Sequence, residues 1–202
     1  MFKFPAFGAL AAATLLSACA TGPDPVEVTR FSAPERLNAL GTGTISVEAA
    51  PGEDAGSLEL RGYQVAVSRE LTQLGYREVA AGTGQQVAEV RVDRGLWREG
   101  ERRRGPVSVG VGGSTGSYGS GVGVGVGVNL GSLGGGSKDR VGTQLSVVIR
   151  DRSTGLAIWE GRAEQVVKAG SPLADPQAAS SRLADALFAN FPGESGETVE
   201  VD

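Results

Sequence analysis

The stretch TQLSVVIRDRSTGLAIWEGRAEQVV, residues 143–167, decides the fold of this chain. From Thr143 to Asp151 aliphatic residues alternate with polar ones, which is typical of a half-buried strand. The turn-forming run from Asp151 to Gly155 leads into a second such segment, Leu156–Val167. Two strands joined by so short a turn predict a β-hairpin. The residues expected to face the core in the first strand are Leu145, Val147 and Ile149.

Further strands are predicted on the N-terminal side of this hairpin. Residues Gly43–Ala49 alternate and form the candidate first strand. Tyr76–Ala80 is expected to turn back as a short strand. Val87–Trp97 alternates small aliphatic residues with charged ones and is predicted to be the next strand.

Two helices are predicted, each with recognisable end signals. Ser57–Leu74 carries apolar residues at steps of three and four, with Ser57 as a candidate N-cap and Gly75 as the C-terminal glycine. The last helix begins at Asp175-Pro176, with Asp175 as the predicted acidic N-cap, and ends at Phe191-Pro192-Gly193. The order of elements predicts an α+β fold, with a mostly antiparallel sheet and both helices on one face.

A glycine-rich insert, Gly105–Gly136, interrupts this pattern and contains 14 glycines. Valine alternates with glycine or serine in Val107–Val111 and again in Gly121–Leu130, which predicts a hairpin with one aliphatic face. Three interpretations remain open: an extension of the sheet, a surface for another protein, or a strand pair of an oligomeric outer-membrane β-structure. The preceding Arg102–Arg104 is either a solvated loop or a contact for anionic lipid.

The N-terminus predicts a bacterial lipoprotein signal. An apolar run from Phe4 to Leu16 follows Lys3 and is too short to remain as a membrane-spanning helix. It ends Leu16-Ser17-Ala18-Cys19, which resembles a lipobox. Cleavage is therefore expected between Ala18 and Cys19, and fatty acyl chains such as palmitate are expected on Cys19. Ala20, in place of an aspartate that would favour inner-membrane retention, favours the inner leaflet of the outer membrane.

These observations predict four segments. Residues 1–18 are the signal peptide, and residues 19–42 are the lipidated N-terminus and a tether that lifts the domain off the membrane. Residues 43–192 form a single α+β domain that includes the insert. The acidic residues 193–202 are expected to be a disordered tail.

Side chains suited to catalysis are scarce in this sequence. The chain has no histidine, and its single cysteine is assigned to the anchor, so no metal site or cofactor is predicted. Gly112–Gly116 has the spacing of a nucleophile elbow but lacks a histidine partner. Asp151 and Glu160, which adjoins Trp159, are the candidate acid–base pair. However, a turn aspartate commonly binds its own backbone, and a tryptophan at a strand start is usually core.

From Tyr63 onward the chain resembles the domain of unknown function 4136 family of bacterial envelope lipoproteins. Glu89 departs from this family, which often has aspartate there. The resemblance implies a small α+β lipoprotein domain and supplies no catalytic residue. The pieces that carry it are the lipobox, Leu74-Gly75-Tyr76, residues 88–92, the glycine-rich stretch, residues 145–151, Thr154-Gly155, residues 158–161 and Phe191-Pro192.

Together these features predict a non-enzymatic binding or assembly module of the cell envelope. Its expected partners are a membrane, held through the lipid anchor, and an envelope protein, held through the sheet edge or the Val/Gly hairpin. A formal net charge of −4 and the lack of a basic domain predict no nucleic-acid binding. The alternatives are a carboxylate-based envelope hydrolase and a subunit of an oligomeric outer-membrane β-structure.

Overall fold

A computed structural model of the protein describes residues 24–97 and 139–202. In these ranges one seven-stranded sheet carries two α-helices and two short 3-10 helices. In chain order the elements are β1 (Val26–Ser32), a 3-10 helix (Pro34–Ala39), β2 (Thr44–Ala49), α1 (Leu58–Gln73), β3 (Arg77–Glu78), β4 (Gln86–Trp97), β5 (Arg140–Asp151), β6 (Ala157–Lys168), a second 3-10 helix (Pro172–Ala174), α2 (Pro176–Phe188) and β7 (Thr198–Val201).

The sheet confirms the predicted α+β architecture. Its strand order is β3-β2-β4-β5-β6-β1-β7. β2 is parallel to β3 and β4, and the remaining neighbours are antiparallel. Side chains from both α-helices and from one side of the sheet share a single buried core, so the helices cover one face, as predicted.

The predicted hairpin of β5 and β6 lies at the centre of the sheet. Leu145, Val147 and Ile149 are fully buried, as their alternation predicts. The indole of Trp159 lies over Gly161, two residues along the same strand. A Cβ atom at Gly161 would stand 2.3 Å from Cη2 of Trp159 and 2.7 Å from a methyl carbon of Leu187. Glycine at this position therefore makes room for a tryptophan that packs between the sheet and α2.

The domain begins earlier than the predicted tether allows. β1 pairs with β6 on one side and β7 on the other, and Val26 and Val28 are fully buried. The prediction of a tether over residues 19–42 is therefore wrong from Val26 onward. Local sequence patterns do not reveal β1, because its partners in β6 and β7 lie more than 120 residues away along the chain.

The predicted disordered tail is likewise wrong at its end. Thr198–Val201 forms β7, and its two valines, Val199 and Val201, pack on the core. The acidic composition predicts disorder, but β1 supplies an edge on which this segment pairs as a strand. Alternation places the valines on the core side of the sheet and the more exposed Thr198 and Glu200 on the other.

Both α-helices have the predicted N-caps. Ser57 Oγ accepts a hydrogen bond from the backbone N–H of Leu60 at 3.3 Å. Asp175 accepts two, from the N–H groups of Gln177 at 2.9 Å and Ala178 at 3.2 Å. Gly75 has a φ of 105°, a left-handed conformation that favours glycine after a helix. Neither helix is long and apolar enough to cross a membrane.

The sheet has two ends, which position the features discussed below. At one, the insert end, Trp97 pairs with Arg140 and Arg140 pairs with Lys168. Asp24, two residues before β1, forms an ion pair with Arg140, so β1 begins at this end of the sheet. The other, the hairpin end, is formed by the turn between β5 and β6 together with the starts of β2 and β4.

Candidate functional site

A cleft with a volume of about 610 Å³ opens at the hairpin end of the sheet. Three loops meet there: the β5–β6 turn, the segment that leads into β2, and the segment that leads into β4. Its lining residues are Ala39, Thr42, Gly43, Gly84, Gln85, Gln86, Asp151, Arg152 and Ser153.

Arg152 organises one wall of this cleft. Its Nε donates to the carbonyl of Gly84 at 2.9 Å, and its Nη2 donates to Ser46 Oγ at 2.7 Å and to Glu48 Oε1. Its backbone N–H donates to the carbonyl of Gln85 at 2.9 Å. We call Ser46, Glu48, Gly84, Gln85 and Arg152 the hairpin latch, because these contacts hold the β5–β6 turn against β2 and β4.

Glu48 is the acidic member of the hairpin latch. Its Oε1 accepts from Ser46 Oγ at 2.7 Å and from the Gly82 N–H at 2.9 Å, as well as from Arg152. Partial burial alone raises the pKa of Glu48, but these hydrogen bonds and the nearby guanidinium outweigh it and hold the pKa below its usual value. Glu48 is therefore ionised at neutral pH and is not poised as a general acid.

The latch needs a glycine where the strands approach. A Cβ atom on Gly84 would lie 2.5 Å from the carbonyl oxygen of Gln86 and 2.7 Å from the backbone nitrogen of Ser46. Because both neighbours are backbone atoms, a side chain here would push β2 and β4 apart.

A buried polar pair lies beside the cleft, and one of its two members, Gln86, lines it. Tyr76 donates from its hydroxyl to Gln86 Oε1 at 3.2 Å, and Gln86 Nε2 donates to the carbonyl of Ala39 at 2.8 Å. Burial raises the pKa of Tyr76 to about 12, so its hydroxyl stays protonated at neutral pH. These bonds tie the segment before β2 to the start of β4, and both side chains of the pair are neutral.

The candidate acid–base residues are not brought together in this cleft. Asp151 lines it, but Asp151 Oδ1 accepts from Ser153 Oγ at 2.6 Å and from the Thr154 N–H at 2.9 Å. Hydrogen bonds within this turn, the Ser153 hydroxyl first, hold the pKa of Asp151 below its usual value. Glu160 is absent from the lining, and Trp159 is buried in the core. The described residues contain no group of three or more metal-ligating side chains.

A second candidate site is the open edge of β4. Pairing with β2 reaches only to Val90, whose carbonyl accepts from the Ala50 N–H at 2.9 Å. Because backbone groups alternate sides along a strand, Val92, Arg94 and Leu96 turn their N–H and C=O groups to the same side as Val90. No described strand pairs with β4 on that side beyond Val90.

Several predicted sites lie outside the described residues. They are Ala18 and Cys19 of the lipobox, Arg102–Arg104, the elbow-like Gly112–Gly116 and the insert Gly105–Gly136. Conversely, sequence patterns missed the hairpin latch. Arg152 follows a turn aspartate and resembles any solvated turn residue, and its partners Ser46 and Glu48 lie about a hundred positions earlier.

Two solved structures are among those similar to this chain. A structure of a PDZ domain protein from Parabacteroides distasonis superposes with a TM-score of 0.50 at 13% identity, over 88% of this chain and 39% of that one. A dodecamer of PelC from Paraburkholderia phytofirmans gives a TM-score of 0.45 at 13% identity, over 84% of this chain and 99% of that one. The likeness to the PDZ domain protein concerns the fold alone.

One relative is similar in sequence over a short stretch. An uncharacterised protein of Zymomonas mobilis subsp. mobilis is 45% identical over 65 residues, which are 32% of this chain and 24% of that protein's length. The family described as a domain of unknown function, DUF4136, matches residues 45–193, which include α1, α2 and the strands from β3 to β6. The chain therefore belongs to the DUF4136 family.

Proposed function

We propose that this protein is a lipoprotein of the bacterial envelope, anchored through Cys19 to the inner leaflet of the outer membrane, and that its domain is a non-catalytic binding module. The anchor is supported by the sequence Leu16-Ser17-Ala18-Cys19 and by Ala20 after the cysteine. The binding role is supported by one observation above all, the open edge of β4.

This edge suits an extended segment of another envelope protein. An unpaired strand edge presents a row of free backbone donors and acceptors, which a second strand can satisfy by adding to the sheet. Here β5 already holds β4 along its entire length, from Gln86 to Trp97, so the edge is preorganised. A preorganised edge loses little entropy when a partner binds.

Local side chains restrict which strand can add. Gly95 faces open space on one face of the sheet, since a Cβ atom there would meet no atom within 4 Å, so a side chain introduced there stands clear of the described residues. Asp93 is exposed on the same side of the sheet as Gly95. A basic residue opposite Asp93 would favour one register of the added strand.

The anchor is tested by the Cys19→Ser variant expressed in a Gram-negative host. The wild-type protein should partition into the membrane fraction and carry the mass of a processed, acylated N-terminus. The variant should lose both properties. An unacylated wild-type protein would overturn the anchor.

The binding edge is tested with two variants of Val92, because its N–H faces the open edge. Val92→Pro removes this backbone donor. The control Val92→Ala keeps the donor, and both variants lose the packing of the valine side chain. A photoreactive residue at Gly95 should capture an envelope protein in cells, and Val92→Pro should reduce that adduct at least about tenfold, the loss expected when a hydrogen bond of about 1.4 kcal/mol is removed. Equal capture by the two variants, with both folded, would overturn strand addition.

A further inference from the structure

The insert end of the sheet is tied to the first described residues of the chain. The carboxylate of Asp24 pairs with Arg140 Nη2, and the carbonyl of Asp24 accepts from Arg182 Nη2 at 2.7 Å. Arg140 stands opposite both Trp97 and Lys168 in the sheet, so Asp24 lies beside the last rung of the three longest strands. The chain is thus held by the domain from Asp24 onward.

Covalent geometry limits how far this end can stand from the anchor. Asp24 lies five residues after Cys19. A fully extended chain spans at most about 3.6 Å per residue, so the two Cα atoms are at most about 18 Å apart. If Cys19 is acylated, as proposed above, its Cα lies at the membrane surface, and the insert end is held within that distance of the bilayer.

Two exposed leucines, Leu58 and Leu96, lie at the insert end. Leu96 is 57% exposed and stands opposite Val141, one rung from the end of β4. Leu58, the first residue of α1, is 79% exposed. It belongs to this end because its neighbour Glu59 accepts from Arg94 Nη1 at 3.2 Å. Large aliphatic side chains this exposed on a tethered domain are suited to the interfacial region of a bilayer.

Other groups at this end are compatible with a lipid surface. Lys168 is exposed at the end of β6, and a long lysine side chain can keep its ammonium at the headgroups while its stem lies along apolar atoms. Arg94 is satisfied within the protein, by Glu59 and by the carbonyl of Ala174. Burial of this end against headgroups therefore leaves that guanidinium paired.

We propose that the insert end lies against the bilayer with Leu58 and Leu96 in its interfacial region, and that the cleft at the hairpin end faces away from it. This orientation rests on the proposed acylation of Cys19. Twelve residues of β5 at about 3.4 Å each separate the two ends, so the cleft stands about 40 Å from the membrane-facing end. The open edge of β4 then runs from the membrane surface toward the cleft.

The orientation is tested with single-cysteine labels on the acylated, full-length protein. Leu58→Cys, Leu96→Cys and the matched control Leu156→Cys are each labelled with an environment-sensitive fluorophore. Leu156 is 53% exposed and lies in the turn at the hairpin end. Cys19 is the sole native cysteine, so acylation leaves the new thiol as the one that reacts. The proteins are reconstituted into vesicles of phosphatidylethanolamine and phosphatidylglycerol that contain spin-labelled lipid.

We expect quenching at positions 58 and 96 to exceed that at 156 by at least about fivefold. Equal quenching at the three positions, or the strongest quenching at 156, would overturn the orientation while leaving the anchor intact. Absence of the acyl mass in the purified protein would instead overturn the anchor, and the orientation with it.

A longer tether shows whether the two leucines bind the bilayer or are only held near it by the anchor. Insertion of about twenty Gly and Ser residues between Ala20 and Thr21 removes the distance limit. Each labelled protein replaces one of the two leucines by cysteine and keeps the other. If the leucines bind the interfacial region, quenching at positions 58 and 96 persists in the protein with the longer tether. Its fall to the level of position 156 would overturn the proposed contact of the leucines with lipid.

Discussion

At the scale of single residues, the fold depends on a few close contacts that tolerate no additional atom. Trp159 is buried against Phe188 and Phe191, with ring centroids 5.4 and 5.2 Å away, and its indole nitrogen donates to the carbonyl of Pro192 at 2.9 Å. Gly161 supplies the space that this arrangement needs. The conspicuous sequence Trp159-Glu160-Gly161 thus has a packing explanation.

The Gly161→Ala substitution should therefore destabilise the domain by about 1–3 kcal/mol, the usual cost of overpacking a core. Gly95→Ala is the matched control, since Gly95 also lies in a strand but faces open space. That variant should be neutral or slightly stabilising, because alanine restricts the unfolded chain more than glycine does. Urea unfolding of both variants measures the difference. Equal stability would show that Trp159 can move without cost.

Arg30 shows a residue role that no local pattern reveals. It is 5% exposed, and its guanidinium donates to the carbonyls of Ala186, Leu187 and Ala189 at the C-terminus of α2. A cation in this position satisfies the last carbonyls of the helix and interacts favourably with its dipole. In the sequence, Arg30 is one of two charged residues in β1, and nothing local indicates that it is buried.

At the scale of elements, the hairpin latch joins the β5–β6 turn to β2 and β4. Arg152 donates hydrogen bonds to Ser46 and Glu48 of β2 and to the carbonyl of Gly84, which lies just before β4. The turn itself follows from its sequence, whereas its attachment depends on strands brought together by the sheet.

The latch makes stability depend on pH. The folded-state pKa of Glu48 is lowered from 4.5, so the stabilisation is present above pH 4.5 and is lost as the pH falls through the folded-state pKa. Glu48→Gln should therefore be less stable than wild type at pH 7, and the difference should shrink below pH 4.5. Urea unfolding from pH 7 to pH 3 measures it. A difference that stays constant over this range would contradict the role of Glu48.

At the scale of the whole molecule, the limits of the domain follow from β1. Val26 and Val28 are core residues, and β1 separates β6 from β7 in the sheet. Family similarity begins only at residue 45, and the sequence pattern predicted a domain from residue 43. A domain that began at residue 43 or 45 would lack β1, which lies between β6 and β7 in the sheet.

A fragment of residues 43–202 should consequently fail to fold cooperatively, whereas residues 24–202 should fold. The shorter fragment lacks Val26, Val28 and Arg30, and it leaves the edge of β6 and the end of α2 unpaired. Thermal unfolding followed by circular dichroism compares the two fragments. A cooperative transition at the same temperature in both would show that β1 is dispensable.

The features predictable from sequence are those set by neighbours along the chain. The β5–β6 hairpin, α1 and α2 and their caps at Ser57 and Asp175 follow from local alternation, helical periodicity and capping chemistry. The family is indicated by the resemblance of its short motifs. Local backbone preferences determine such elements, so a short window of sequence is enough to specify them.

The remaining features depend on contacts between residues far apart in the chain, and only the tertiary structure decides them. These features are the places of β1 and β7 in the sheet, the burial of Arg30, the hairpin latch and the open edge of β4. The tertiary structure also brings the start of β1 to the sheet end where residues 98–138 leave and return. A short strand has no stability of its own, so its place in the sheet is decided by the partners that the fold brings to it.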